Sequence, residues 1–197
     1  MAVGLTLVLG ACASTRLVDS EVRSFVGTVA PTTPATYRFD RLPSQQSGDI
    51  NTQGAQERLE TMASAALADV GLTQSDTDAQ YLAQVSGSVE QMVRSPQVSP
   101  IRLGGFWGFH QPPLGFGMNY WATEPPLSRY SVQIVLRESS SKQVVFESQA
   151  QHIGPWSDAS NILPAVLRAA LRDYPHPAPQ STTVRVEVGP QGLTDRP

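Results

Sequence analysis

The single thiol of this 197-residue chain, Cys12, follows directly on Leu9, Gly10 and Ala11, at the close of an apolar run that begins at Met1. Small residues at Gly10 and Ala11 let an extended backbone enter a membrane-embedded peptidase. The sulfur beside them is a nucleophile able to take up a diacylglyceryl group as a thioether. With N-terminal acylation added, several chains at about 0.8 kcal/mol per buried CH₂ hold a protein at a bilayer where one chain anchors only marginally. Ala2 to Leu9 is too short for the ~20 residues of a transmembrane helix and suits the core of an export signal. The competing reading is a free cysteine buried in an ordinary N-terminal helix. No Lys or Arg precedes the run, which leaves the α-amino group as its positive charge and points to a translation start further upstream.

The second feature with chemical content is Leu103 to Trp121, LGGFWGFHQPPLGFGMNYW, a run with five glycines, six aromatics and no Asp, Glu, Lys or Arg. Glycine frees the backbone, while Phe106, Trp107, Phe109, Phe116, Tyr120 and Trp121 offer large amphipathic area for a lipid headgroup, a glycan or a protein partner. These six and His110 form the candidate binding loop. Its competitor is a long hairpin whose aromatics fold back over a sheet edge. Neither Gly104-Gly105 nor Gly115-Phe116-Gly117 is a phosphate loop, for both lack the Lys-Ser/Thr ending and the strand-to-helix setting.

Catalytic residue patterns are scarce. His110, His152 and His176 lie in separate stretches, without the i, i+4 spacing that sets two ligands on one helical face. No nucleophile elbow or Ser-x-x-Lys pair occurs, although a triad assembled in space leaves no such trace. Asp76 and Asp78 resemble the start of a calcium loop but lack the Gly and Glu that follow, so a solvated turn is expected. No cofactor, metal site or catalytic residue is expected. A net charge of −3 gives no electrostatic footprint for nucleic acid. With its one cysteine used by the anchor, the chain has none for a disulfide.

The elements that would position these residues are readable from periodicity. Residues 1–11 read as the signal, 12–20 as a polar tether, 21–189 as one domain and 190–197 as a flexible tail. Val22 to Val26 and Tyr37 to Leu42 alternate as short strands, with a loop at Ala30 to Ala35 and a polar loop at Pro43 to Asp49. Leu59, Met62, Ala63, Ala66, Leu67 and Val70 make one helical stripe, capped at Asn51 or Thr52 and stopped at Gly71. Tyr81, Ala83, Val85 and Val89 then alternate with Gln84, Ser86, Ser88 and Glu90 as a half-buried strand. Tyr130 to Arg137 and Gln143 to Gln149 read as a hairpin around Glu138 to Lys142. A second helix starts near Ser160 or Asn161 with Pro164 in its first turn, and carries Ile162, Val166, Leu167, Ala170 and Leu171. Pro175 and Pro177 end it, and Thr183 to Val188 reads as a peripheral strand. The expected fold is α+β, a mostly antiparallel sheet with two helices packed on one face.

Leu9 to Cys12 resembles the processing site of bacterial lipoproteins cut by the lipoprotein-specific signal peptidase. That likeness implies a membrane-anchored, periplasm-facing protein bearing acyl groups such as palmitate on Cys12. Ala13 and Ser14 lack the aspartate that retains many such proteins in the inner membrane, which implies the inner leaflet of the outer membrane. Tyr37-Arg38-Phe39, Leu67 to Leu72, Ala79 to Val85 and Leu171 to Pro175 are similar to proteobacterial lipoproteins of the domain of unknown function 4136 family. Where members more often carry an acidic residue before the first sheet-core strand, this chain has Gln80. The family carries no agreed activity, so the likeness implies location and fold rather than chemistry.

The expected function is therefore a non-enzymatic, lipid-anchored envelope protein with a binding or assembly role, its partner an envelope protein or glycan. Two alternatives stand beside it. One is a cell-wall or lipid hydrolase with His110 or His152 as base, and the other is a structural spacer without a ligand.

Overall fold

Asp49 starts the longest helix, because its carboxylate accepts the Thr52 amide at 2.8 Å and the Thr52 hydroxyl at 2.6 Å. The cap therefore falls two residues before the earlier of the two expected positions. Helix α2 (Ile50–Asp69) buries Leu59, Ala63, Ala66 and Leu67, the middle of the expected stripe, while its first two turns stay exposed. Gly71, at φ +83°, ends it as expected.

The computed structural model describes residues 15–92, 126–190 and 192–196. Leu9, Gly10, Ala11 and Cys12 lie outside the described residues, as does the whole of 103–121. The described chain forms strands β1 (Arg16–Val26) and β2 (Ala35–Phe39), the short helix α1 (Pro43–Gln46) and α2. Then follow β3 (Leu72–Gln74), β4 (Tyr81–Met92), β5 (Leu127–Glu138), β6 (Val144–Gly154), α3 (Ala159–Ala170), β7 (Thr182–Gly189) and β8 (Gly192–Arg196). They make one eight-stranded sheet in the order β3-β2-β4-β5-β6-β1-β7-β8.

The sheet is mixed, which corrects the expectation of a mostly antiparallel one: β2 runs parallel to both β3 and β4. The crossover from β2 to β3 and β4 passes through α2, and a helical crossover returns the chain to the end where it started, so parallel pairing follows. As expected, α2 and α3 lie on one face, α2 over β3 and β4, α3 over β1, β5, β6 and β7. Val18, Tyr37, Tyr130, Ile134, Leu136, Phe146 and Val186 rise from the strands to meet Leu67, Ile162, Val166 and Leu167 from the helices.

Three further expectations are corrected. Residues 16–20, expected within a polar tether, belong instead to the sheet, because β1 begins at Arg16 and pairs through Leu17–Ser20 with β7. The C-terminal segment pairs as β8 with β7, so it is not a free tail and β7 is not the edge. Pro164 sits inside α3 rather than in its first turn, since the helix begins at Ala159 after Asp158. The donor it removes would have met the carbonyl of Ser160, an exposed residue with access to water.

Candidate functional site

The register of the sheet places Arg16, Met92 and Leu127, the strand ends next to the two undescribed stretches, at one end of the described fold. β4 and β5 pair without a break from Tyr81 opposite Glu138 to Met92 opposite Leu127. Residues 93–125, which contain the candidate loop, are therefore joined to the domain where β4 ends and β5 begins. β5 is antiparallel to β6 and β6 to β1, so the start of β1 at Arg16 lies at that same end. Arg16 is fixed there by an ion pair to Asp158 at 3.5 Å and by its guanidinium 5.0 Å above the Trp156 ring. Asp158 in turn precedes α3. Hydrogen bonds from Ser160 and Asn161 hold its carboxyl below the usual carboxylate range.

The helices point the same way. The C-terminal end of α2 meets the start of β2, where the Ala35 amide donates to the Gly71 carbonyl. The C-terminal end of α3 receives the Ser148 hydroxyl on the Ala170 carbonyl at 2.6 Å. Both N-termini thus lie toward the end where residues 15 and 92 leave the described fold. There the helices leave between them a groove of about 790 Å³, lined by Leu59 and Met62 of α2, Gly87 and Val89 of β4, and Ala159 and Leu163 of α3. Val89, expected on the buried face, lies on that face but is 45% exposed, because the helices do not cover it.

The helix-facing side of the sheet turns polar at this same end. Ser20, His152, Tyr130 and Val89 follow one another across β1, β6, β5 and β4. Ser20 is fully buried, and its hydroxyl has no hydrogen-bond partner among the described residues. His152 is 5% exposed, with Nδ1 2.8 Å from the Asp19 carbonyl oxygen. A carbonyl only accepts, so Nδ1 carries a proton, while Nε2 is buried without a described partner. Tyr130 donates its hydroxyl to the Trp156 carbonyl at 2.8 Å, and burial pushes its phenol up. On the other face of β1, Arg185 holds Asp19 in a two-point pair, and that hydrogen bonding keeps the carboxyl below its usual range.

His176 is exposed near Ser24 and Val26, at the opposite end of β1 from Ser20 and His152, so these two histidines do not meet. His110 lies outside the described residues. Among the described residues no three His, Cys, Asp or Glu side chains gather as a metal site. Asp76 and Asp78 stand in a turn closed by the Ser75 hydroxyl and the Asp78 amide. The opposite face of the sheet is a shallow polar concavity of about 540 Å³ around Glu21, Arg23, Ser131, Gln133, Gln149 and Gln151.

A family model described as "Domain of unknown function (DUF4136)" matches residues 27–176. The chain belongs to this family. The DUF4136 match spans β2 to the end of α3, leaving β1, β7 and β8 outside it. Two solved structures of the PelC dodecamer from Paraburkholderia phytofirmans are similar to this chain, at 14% and 13% identity and a TM-score of 0.45 each. Both alignments cover 81% of this chain and 99% of the other. A PDZ domain protein from Parabacteroides distasonis aligns at 13% identity and a TM-score of 0.49, over 89% of this chain and 39% of that one. A comparison with curated proteins finds no match.

Sequence reasoning missed the groove and the Ser20–His152 row. The groove depends on where two helices stop, which periodicity does not report. The row had a faint signal: polar residues at 20 and 152, each in step with apolar neighbours two positions away, Val18 and Val22, and Ala150.

Proposed function

We propose that this DUF4136 member is a non-enzymatic lipoprotein, lipid-anchored through Cys12 to the inner leaflet of the outer membrane. It works in the envelope by binding or assembly. The observation that carries the reading is the shared exit: the stretch bearing Cys12 and the stretch bearing the aromatic loop join the fold at the same end. An anchor there holds that end toward the bilayer and sets Phe106, Trp107, Phe109, His110, Phe116, Tyr120 and Trp121 near the surface, to meet an envelope protein or glycan. Burial of the His152 ring, whose Nδ1 is held by a carbonyl instead of a carboxylate, supports binding over hydrolysis.

Cys12→Ala abolishes lipid labelling and releases the protein from the membrane fraction; an unchanged membrane fraction defeats the anchoring claim. Replacing Phe106, Trp107 and Trp121 together by Ser weakens in-cell photocrosslinking from the loop while far-UV circular dichroism stays the same. Equal crosslinking by parent and variant returns the loop to a structural role.

A further inference from the structure

The groove between α2 and α3 is set by where two helices and a strand lie rather than by one flexible side chain. Leu59 and Met62 form one wall, Ala159 and Leu163 the other, and Gly87 and Val89 lie along β4 beneath. A Cβ at Gly87 would come within 3.2 Å of Leu59 Cδ2, so the glycine keeps the floor low. At about 790 Å³ the groove falls within the ~300–1,000 Å³ of clefts that take small molecules, and like them it is mainly apolar with a few polar groups.

We infer that this groove binds one acyl chain of a membrane phospholipid whose headgroup is anionic. Three observations select that occupant. The first is charge. Arg58 is the one charged residue of the lining, and among the described residues it has no hydrogen-bond or ion-pair partner. Its Nη1 would stand 3.6 Å from a Cβ on Gly54, so the guanidinium folds back one turn toward the start of α2, at the mouth of the groove. The carboxylates nearest that mouth are already engaged, Asp49 by Thr52 and Asp158 by Ser160, Asn161 and Arg16. A phosphodiester is the kind of group that such a guanidinium recognises. The second is the order of polarity. Thr52, Ser160 and the Arg58 head lie toward the starts of the two helices, while Met62 and Leu163 lie further in. A lipid has that same order from headgroup to tail. The third is length. The lining follows α2 from Thr52 to Met62, about 15 Å at the helical rise, which is half of a ~30 Å hydrocarbon core and so the depth of one leaflet's chain.

That the lipid comes from a membrane rests on the anchoring reading, which turns this end of the fold toward a bilayer. The charge, polarity and length of the groove are independent of it. An acyl chain held here gives the domain a second attachment beside Cys12.

The test reconstitutes the full-length protein in phosphatidylcholine vesicles that carry a small fraction of phosphatidylglycerol bearing a diazirine near the end of one acyl chain. After irradiation, digestion and mass spectrometry should place the label at Leu59, Met62, Val89 or Leu163. Arg58→Gln, at an exposed position, should lower that labelling about fivefold, the scale of one exposed charge pair. A phosphatidylcholine with the same diazirine should label the parent protein no better than phosphatidylglycerol labels the variant. Val89→Glu sets an anion on the exposed part of the floor and should abolish the label with the melting temperature unchanged; if that variant melts lower, Arg58→Gln decides alone. A parent protein that takes no label, label confined to other residues, equal labelling by the two lipids, or labelling unchanged by Arg58→Gln overturns the inference. Failure of the anchoring reading appears separately, as a Cys12 that takes no acyl group while the added probe still labels the groove.

Discussion

If Cys12 is lipidated, the fold dictates which end of the sheet faces the bilayer, and by how much. Only three residues lie between Cys12 and Arg16, a span of about 14 Å at full extension. Arg16 is paired to β7 and tied to Asp158, so the strand cannot peel away to lengthen that tether without losing both contacts. Gln91 is exposed at the near end, opposite Ser128, and the β5–β6 turn bearing Lys142 is at the far end. Glu138 stands ten positions along β5 from Ser128, about 34 Å at the strand rise. The chain offers clean handles for both positions. Lys142 is its one lysine, and a thioether at Cys12 leaves Gln91→Cys as the one free thiol. A dye at Gln91→Cys is expected to be strongly quenched by quencher-bearing lipids in reconstituted vesicles, and a dye on Lys142 hardly at all. Thirty Gly/Ser residues inserted after Thr15 add a random-coil span of about 30 Å and should remove most of the quenching at position 91. Equal quenching at the two positions in the parent protein refutes the geometry.

Two further predictions test the packing that holds this frame. Arg41 donates from Nε and Nη2 to the Glu60 carboxylate at 2.7 Å each, and Gln56 adds a third bond at 3.0 Å. Burial raises the Glu60 carboxyl, but these partners outweigh it and leave the group below its usual range. The pair therefore contributes stability above the ordinary carboxylate value and loses it as pH falls through the lowered one. Arg41→Met should cost about 2–3 kcal/mol at pH 7, read by urea unfolding. The gap should narrow as pH falls into and through the ordinary carboxylate range, because the buried, unpaired Glu60 of the variant protonates before the paired one; a gap independent of pH contradicts the assignment. Gly27→Ala brings a Cβ to 2.1 Å from the Val144 carbonyl oxygen and should destabilise by about 3 kcal/mol. Gly54→Ala in α2, where the new Cβ would stand 3.6 Å from Arg58 Nη1, should instead stabilise by about 0.5–1 kcal/mol. Thermal melts of the two proteins separate these outcomes.

Local signals were readable and distant ones were not. The stripe from Leu59 to Leu67 and the positive-φ stop at Gly71 are properties of one helix, so sequence spacing states them directly. The hairpin from β5 to β6 is equally local. By contrast β3 has three residues and one buried side chain, Leu72, so its parallel pairing with β2 leaves no periodic trace. Arg16 and Asp195 look like tail residues until Arg16 meets Asp158 and Asp195 meets Arg168, contacts across 142 and 27 positions of chain. Of the candidate site, the composition of 103–121 was evident at once. Its attachment point became evident only through the register of four strands.

The two ends of the described domain differ in how fully the helices cover the sheet. Where the helices end, Tyr174 packs edge-on to Phe146 at 5.0 Å and donates to the Thr32 carbonyl, while the Tyr81 hydroxyl accepts the Thr32 amide at 2.8 Å. Apolar contact and hydrogen bonding both close that end. Where the helices begin, the same face presents Ser20 and His152 with unmet polar atoms, an exposed Val89 and an open groove. Each of these costs stability relative to a filled apolar layer. Among the described residues unmet polar atoms are not confined to that end, since the Ser139 hydroxyl at the other is buried without a partner; what distinguishes the end where the helices begin is the open groove and the exposed Val89. That is the end to which both the Cys12 stretch and the aromatic stretch are joined.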